Sequence, residues 1–71
     1  MTVSYNKLFK LLIDRKMKKK DLRDAAGLSA SSITKLANDE YVSMDVLVKI
    51  CTALNVDIGE IMEIVPRSED R

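Results

Sequence analysis

Four polar side chains, Ser31, Thr34, Lys35 and Asn38, recur at spacings of three and four in a stretch that reads as a short helix. On a helix they share one face, and they offer donors, acceptors and one mobile positive charge with little bulk. Such a face suits hydrogen bonding to another polar surface, and a helix of this kind can enter the major groove of DNA. Ser29 stands just before it as a cap. A second cluster, Lys18, Lys19 and Lys20, opens an earlier helical stretch. Free N–H groups and a partial positive charge make both helix starts attractive to phosphate. Three lysines at a helix N-terminus oppose its own dipole by roughly a few tenths of a kcal/mol, a cost that binding a polyanion offsets.

Other chemistries find no residues to carry them. The 71 residues include no histidine and one cysteine, and neither a glycine-rich phosphate loop nor a set of side chains at metal-ligand spacing is present. Ser31 and Ser32 lie near Lys35, but a surface serine beside a lysine is a solvated group rather than an activated nucleophile. The expectation is therefore no enzyme, no cofactor, no metal and no small-molecule ligand. A lone Cys51 on an apolar helix face reads as a small buried hydrophobe, in keeping with a reducing cytoplasm. The sequence has no run of 18 apolar residues and no charged-then-apolar leader, so neither a membrane span nor a signal peptide is expected.

Charge is unevenly placed. Residues 1–35 carry nine Lys/Arg against three Asp/Glu, and residues 36–71 carry three against eight, so a net +1 hides halves of +6 and −5. One face is thereby suited to a polyanion and another is not.

These side chains must be held by helices that cannot stand alone, since fewer than about a dozen residues rarely form a stable helix in water. Helix starts repeat with one design. Val3-Ser4 with Leu8, Leu28-Ser29 with Ile33, Val42-Ser43 with Leu47, and Val56-Asp57 with Ile61 each place an apolar residue before a cap and another four after it. Met17-Lys18 with Leu22 repeats the staple around a poor cap. Five helices are expected, at about 5–15, 19–26, 30–37, 44–54 and 58–64, joined by short links. No stretch alternates as a strand would, so the expected class is all-α, one domain over 1–65 with a frayed tail over 66–71. The expected core is Leu8, Leu11, Leu22, Ala26, Ile33, Leu36, Val46, Leu47, Ile50, Cys51, Leu54 and Ile61. Gly27, between the second and third helices, marks a sharp left-handed turn, the outline of a helix-turn-helix.

Taken together, Leu8 and Leu11, Met17, the KKxxL run ending at Leu22, Gly27-Leu28-Ser29, Ile33 and Asn38 resemble the Cro and phage-repressor (XRE) type of helix-turn-helix. The segment from Val42 to Met62 is similar to the last two helices of its small single-domain members, so the resemblance covers about residues 5–64. It implies a five-helix, lambda-repressor-like domain that binds double-stranded DNA in sequence-specific fashion as a transcriptional regulator, usually a dimer. By the resemblance, Ser29 and Asn38 lie near phosphates, Lys19 touches the backbone, and Ala30, Ser31 and Lys35 face base edges with Thr34 beside them. Three departures stand out. Ala30 and Ser31 are short where amide readers are common. Asp39 and Glu40 follow the recognition helix where a Gly-Lys pair is common. Leu12 and Ala37 occupy the places of an Arg–Glu pair.

Two functions remain open on the residues: a DNA-binding regulator, or a protein-interaction module on the same fold, of the antitoxin or anti-repressor kind. Ile58, Met62, Ile64 and Val65 are apolar residues that one small core has little room for, and they suggest a two-fold dimer through a C-terminal helix. The alternative is that Ile58 and Val65 fold back on the first helix near Phe9 and Ile13.

Overall fold

A computed structural model of the chain describes residues 1–66. Apart from Pro66, the tail expected to fray lies outside the described residues. The chain runs through strand β1 (Thr2–Ser4), helices α1 (Asn6–Asp14), α2 (Lys19–Ala26), α3 (Ala30–Ala37) and α4 (Met44–Leu54), a single 3-10 turn (Ile58–Glu60) and strand β2 (Glu63–Val65).

The helices begin where a local acceptor can satisfy a free backbone N–H. Ser29 Oγ accepts from Ser32 N at 3.2 Å, and Ser43 Oγ accepts from Val46 N at 3.3 Å. Lys18 has no acceptor to offer, and the start of α2 is served from inside instead, by Asp21, whose Oδ2 accepts from Lys18 N at 2.8 Å. Helix α4 ends at Asn55, which adopts the left-handed conformation (φ 56°, ψ 51°), with its N–H returned to Cys51 O. These cues are local, and α2, α3 and α4 fall where periodicity and caps place them.

The two chain ends depart from expectation. The described residues are mostly helical rather than all-α, with four helices and a two-stranded antiparallel sheet in which Thr2, Val3 and Ser4 pair with Val65, Ile64 and Glu63. No helix spans 58–64. Asp57 and Glu60 do form the expected box contact, Asp57 N donating to Glu60 Oε2 at 2.8 Å, but it closes only one 3-10 turn. Gly59 weakens that helix from inside, and the β-branched Ile64 and Val65 fit an extended strand better. An interface carried by a C-terminal helix is thus removed. Met62 is half-buried against the core, Val65 pairs with Thr2, and Ile58 lies beside α4 rather than near Phe9 and Ile13. At the other end, Ser4 lies one residue before the cap position of α1, although its Oγ still accepts from Asn6 N at 3.3 Å. It sits in β1, and Tyr5 takes the cap position without a side-chain cap bond.

Ten residues close the core: Val3, Tyr5, Leu8, Leu12, Leu22, Leu36, Leu47, Ile50, Leu54 and Ile61. Val3, Tyr5 and Leu12 were not expected there, and Leu11, Ala26, Ile33, Val46 and Cys51 border it half-buried. Burial, followed by the charges of Asp57 and Glu60, pushes the Cys51 thiol above its ordinary pKa, so it is a packing group rather than a nucleophile. Long-range polar ties complete the frame. The Arg15 guanidinium donates to Leu54 O, and Lys7 Nζ donates to Gly59 O at 3.1 Å, while Lys7 also lies 3.7 Å from Glu63.

Tyr5, 1% exposed, joins the start of α1 to the end of α3: its N–H donates to Asp39 Oδ1 at 3.0 Å, and its hydroxyl donates to Glu40 O at 2.8 Å. Burial, then the Asp39 charge, raises its pKa above the usual 10.0, with a partial offset from the Val42 backbone N–H. The folded state therefore holds this proton more tightly than the unfolded chain. The contribution is fully present below about pH 10 and is lost as pH rises through the folded pKa. Tyr5→Phe is expected to cost roughly 1–3 kcal/mol near neutrality, because Glu40 O is left without its donor. In chemical denaturation from pH 7 to 11, the advantage of Tyr5 over Phe should shrink above pH 10. A constant difference across that range would show that the hydroxyl does not titrate with unfolding.

Candidate nucleic-acid interface

Helices α2 and α3 have eight residues each, and each is pinned by a leucine with no exposed surface, Leu22 and Leu36. The turn between them depends on Gly27, which adopts φ 66° and ψ 40°. Its N–H and that of Leu28 both return to Arg23 O, the latter at 2.9 Å, and the chain reverses within three residues to reach the Ser29 cap. A Cβ added at Gly27 would meet nothing within 4 Å, so glycine is required here by its dihedral angle and not by crowding.

This geometry turns Ala30, Ser31, Thr34, Lys35 and Asn38 outward, all exposed, while Ser32 and Ile33 are half-buried. The expected polar row is therefore one contiguous face. Ser29 Oγ lies 3.1 Å from both Ser31 Oγ and Ser32 Oγ, a hydroxyl cluster at the N-terminus of α3. The Thr34 hydroxyl donates to Ala30 O at 3.1 Å, which leaves its methyl and lone pairs for an external partner. Lys35 forms no ion pair among the described residues and borders an open hollow with Thr2, Asp39, Glu40 and Tyr41. Among the described residues, the Asn38 side chain makes only a long contact, its Nδ2 lying 3.5 Å from Glu40 Oε2.

Asp39 is less of an obstacle to an anion than its position in the sequence suggests. It takes a positive φ of 55° and turns its carboxylate to the Tyr5 N–H. Glu40 remains exposed beside Asn38.

The three lysines at the start of α2 are exposed but not equivalent. Lys19 Nζ sits 5.5 Å above the Phe9 ring. Lys19 and Lys20 line a groove of about 270 Å³ between α2 and α3, with Ala30, Ile33, Thr34 and a residue that sequence reasoning missed, Arg23. Arg23 follows Lys19 by four and Lys20 by three, so helical spacing alone would have put it on their face. Its nearest carboxylate, Asp24, is 3.7 Å away, too long to occupy the guanidinium fully. Among the described residues no group of three or more His, Cys, Asp or Glu side chains is placed to hold a metal ion, and no helix is long and apolar enough to cross a membrane.

Residues 7–67 match the Cro/C1-type HTH DNA-binding domain family. Among curated proteins none matches the sequence. Among solved structures, the crystal structure of the transcriptional regulator VanUg (form II) is similar, with a TM-score of 0.90 and 56% sequence identity over 93% of this chain and 88% of that one.

The role of Gly27 is open to a direct test. Gly27→Ala should lower stability by about 1–2 kcal/mol, Gly27→Asn by less, and the β-branched Gly27→Val by more. Thermal denaturation gives the order, and equal melting temperatures for the alanine, asparagine and valine variants would show that the turn does not need a left-handed residue.

Proposed function

The chain belongs to the Cro/C1-type helix-turn-helix DNA-binding family, its function is DNA binding in transcriptional regulation, and we propose that it reads double-stranded DNA with α3 in the major groove. The observation that carries this reading is the single face of Ala30, Ser31, Thr34, Lys35 and Asn38, exposed together and flanked by the basic groove of Lys19, Lys20 and Arg23. In this reading Lys35 is the one long base reader, suited to the acceptor edge of a guanine, and Ala30 and the Thr34 methyl make apolar contact with thymine methyls. Ser29, Asn38 and the N-terminus of α3 hold phosphates, and Lys18, Lys19, Lys20 and Arg23 hold the opposite side of the groove. The work is done in the cytoplasm, with no catalytic step. A protein-interaction module that has given up DNA has no support in the family match.

Two roles are separable by mutation. Lys19→Ala should weaken all duplexes alike and lower the salt slope of log K by about one unit. Lys35→Ala should cost about 1–3 kcal/mol on the preferred site and little on random sequence. Binding titrations on selected and random duplexes at several salt concentrations measure both. The same loss for both variants on both duplexes would overturn the assignment.

Short readers make one module a weak discriminator, which favours two copies on half-sites about 34 Å apart. With no C-terminal helix to pair, the surface for this is the outer stripe of α4. Met44 and Val48 are 63% and 54% exposed there, beside Ile58 on a groove of about 450 Å³ that no residue of α3 lines. Sedimentation on a two-half-site duplex should show two chains, and Met44→Lys with Val48→Lys should reduce this to one. A dimer unaffected by the double change would place the contact elsewhere.

A further inference from the structure

Helix α1, the turn into α2 and the end of α3 converge on a second groove, of about 400 Å³, which none of Ala30, Ser31, Thr34, Lys35 and Asn38 lines. Leu12, 2% exposed, and the half-buried Phe9 and Met17 form its interior. Ile13, 73% exposed, borders it and is the most exposed large hydrophobic residue described. The groove stays open because Ala37, opposite, is exposed and has only a methyl group to offer. The turn beside it is tightly closed, Met17 N donating to Leu12 O at 2.8 Å with Lys16 at φ 57°, so the backbone does not fold across. Among the described residues, the charged ones lining this groove are Lys18 and Lys19, with no carboxylate.

We propose that this groove docks an acidic amphipathic segment of a partner protein. One large apolar side chain inserts between Phe9, Ile13 and Ala37, and flanking carboxylates pair with Lys18 and Lys19. Charge complementarity sets the sign of the partner, and the apolar interior sets its shape. A nucleic-acid backbone satisfies the first and has nothing to insert for the second. A small ligand in a groove this open would lack the 70–90% burial that ligand pockets of roughly this size provide. A helix laid along the groove brings its own cover. Because both lysines also serve the DNA reading proposed above, partner and operator would exclude one another; that consequence rests on that reading, and the docking itself does not.

The test uses the whole chain and a capped helical peptide of about 15 residues, with leucine and phenylalanine one turn apart and glutamates on either side. Titration followed by amide NMR should move Phe9, Ile13, Met17, Lys18 and Ala37. Ile13→Asp, at an exposed position, should weaken the peptide about tenfold or more. The same peptide with glutamines in place of glutamates should bind at least about tenfold less tightly. Equal affinity of the glutamine peptide, equal affinity of the Ile13→Asp chain, or shifts centred on Met44, Val48 and Ile58 would each overturn the proposal. Peptide binding that does not displace duplex upholds the docking site and overturns instead the phosphate role of Lys18 and Lys19.

Discussion

Two eight-residue helices form the helix-turn-helix, and neither is long enough to persist without the core beneath it. Everything else in the fold serves that constraint. Leu22 and Leu36 each place one fully buried side chain under α2 and α3, and both belong to one buried cluster with Leu8, Leu12, Ile50 and Leu54. The outward residues of α3 are free to be small and polar because the inward ones do the holding.

The orientation of α3 is fixed at both ends by groups that would otherwise be orphaned. At its start Gly27 supplies a left-handed turn and Ser29 a cap. At its end the chain turns through Asp39, whose carboxylate takes the Tyr5 N–H while the Tyr5 hydroxyl takes the Glu40 carbonyl. One buried tyrosine thus ties the end of α3 to the first strand and the first helix. A carboxylate that would repel phosphate is used as a structural acceptor, much as Asp21 is at the start of α2. Asp21 and Asp39 each turn a carboxylate oxygen to a backbone donor, whereas Asp24 and Glu40 stay exposed.

Exposed apolar side chains border two open grooves that differ in charge. Beside α4, Met44, Val48 and Ile58 border a groove whose charged residue is Asp57. Between α1 and α3, Ile13 and Phe9 border one whose charged residues are Lys18 and Lys19. The second groove exists because Leu12 and Ala37 are not matched in volume. Leu12 is absorbed by the core, but alanine cannot reach across to it, so an apolar pair where an ion pair is common yields an opening instead of a filled contact.

The amino-acid sequence by itself determined the helix-turn-helix. The limits of α2, α3 and α4, the Ser29 and Ser43 caps, the left-handed Gly27 and the outward row from Ala30 to Asn38 all follow from residues within a turn or two of one another. Arg23 was equally legible by its spacing from Lys19, had the basic face been followed one turn further. The tertiary structure alone decided the chain ends. Val3 becomes core once β1 pairs with β2, some sixty residues away, and three-residue strands are too short to declare an alternation. Local cues at Asp57 and Glu60 promised a helix and were satisfied by one turn, after which cross-strand pairing took the rest. Tyr5 and Asp39 meet across 34 positions, and nothing near either residue announces the other. Capping and periodicity act within a helical turn, whereas strand pairing and burial act between segments that only folding brings together.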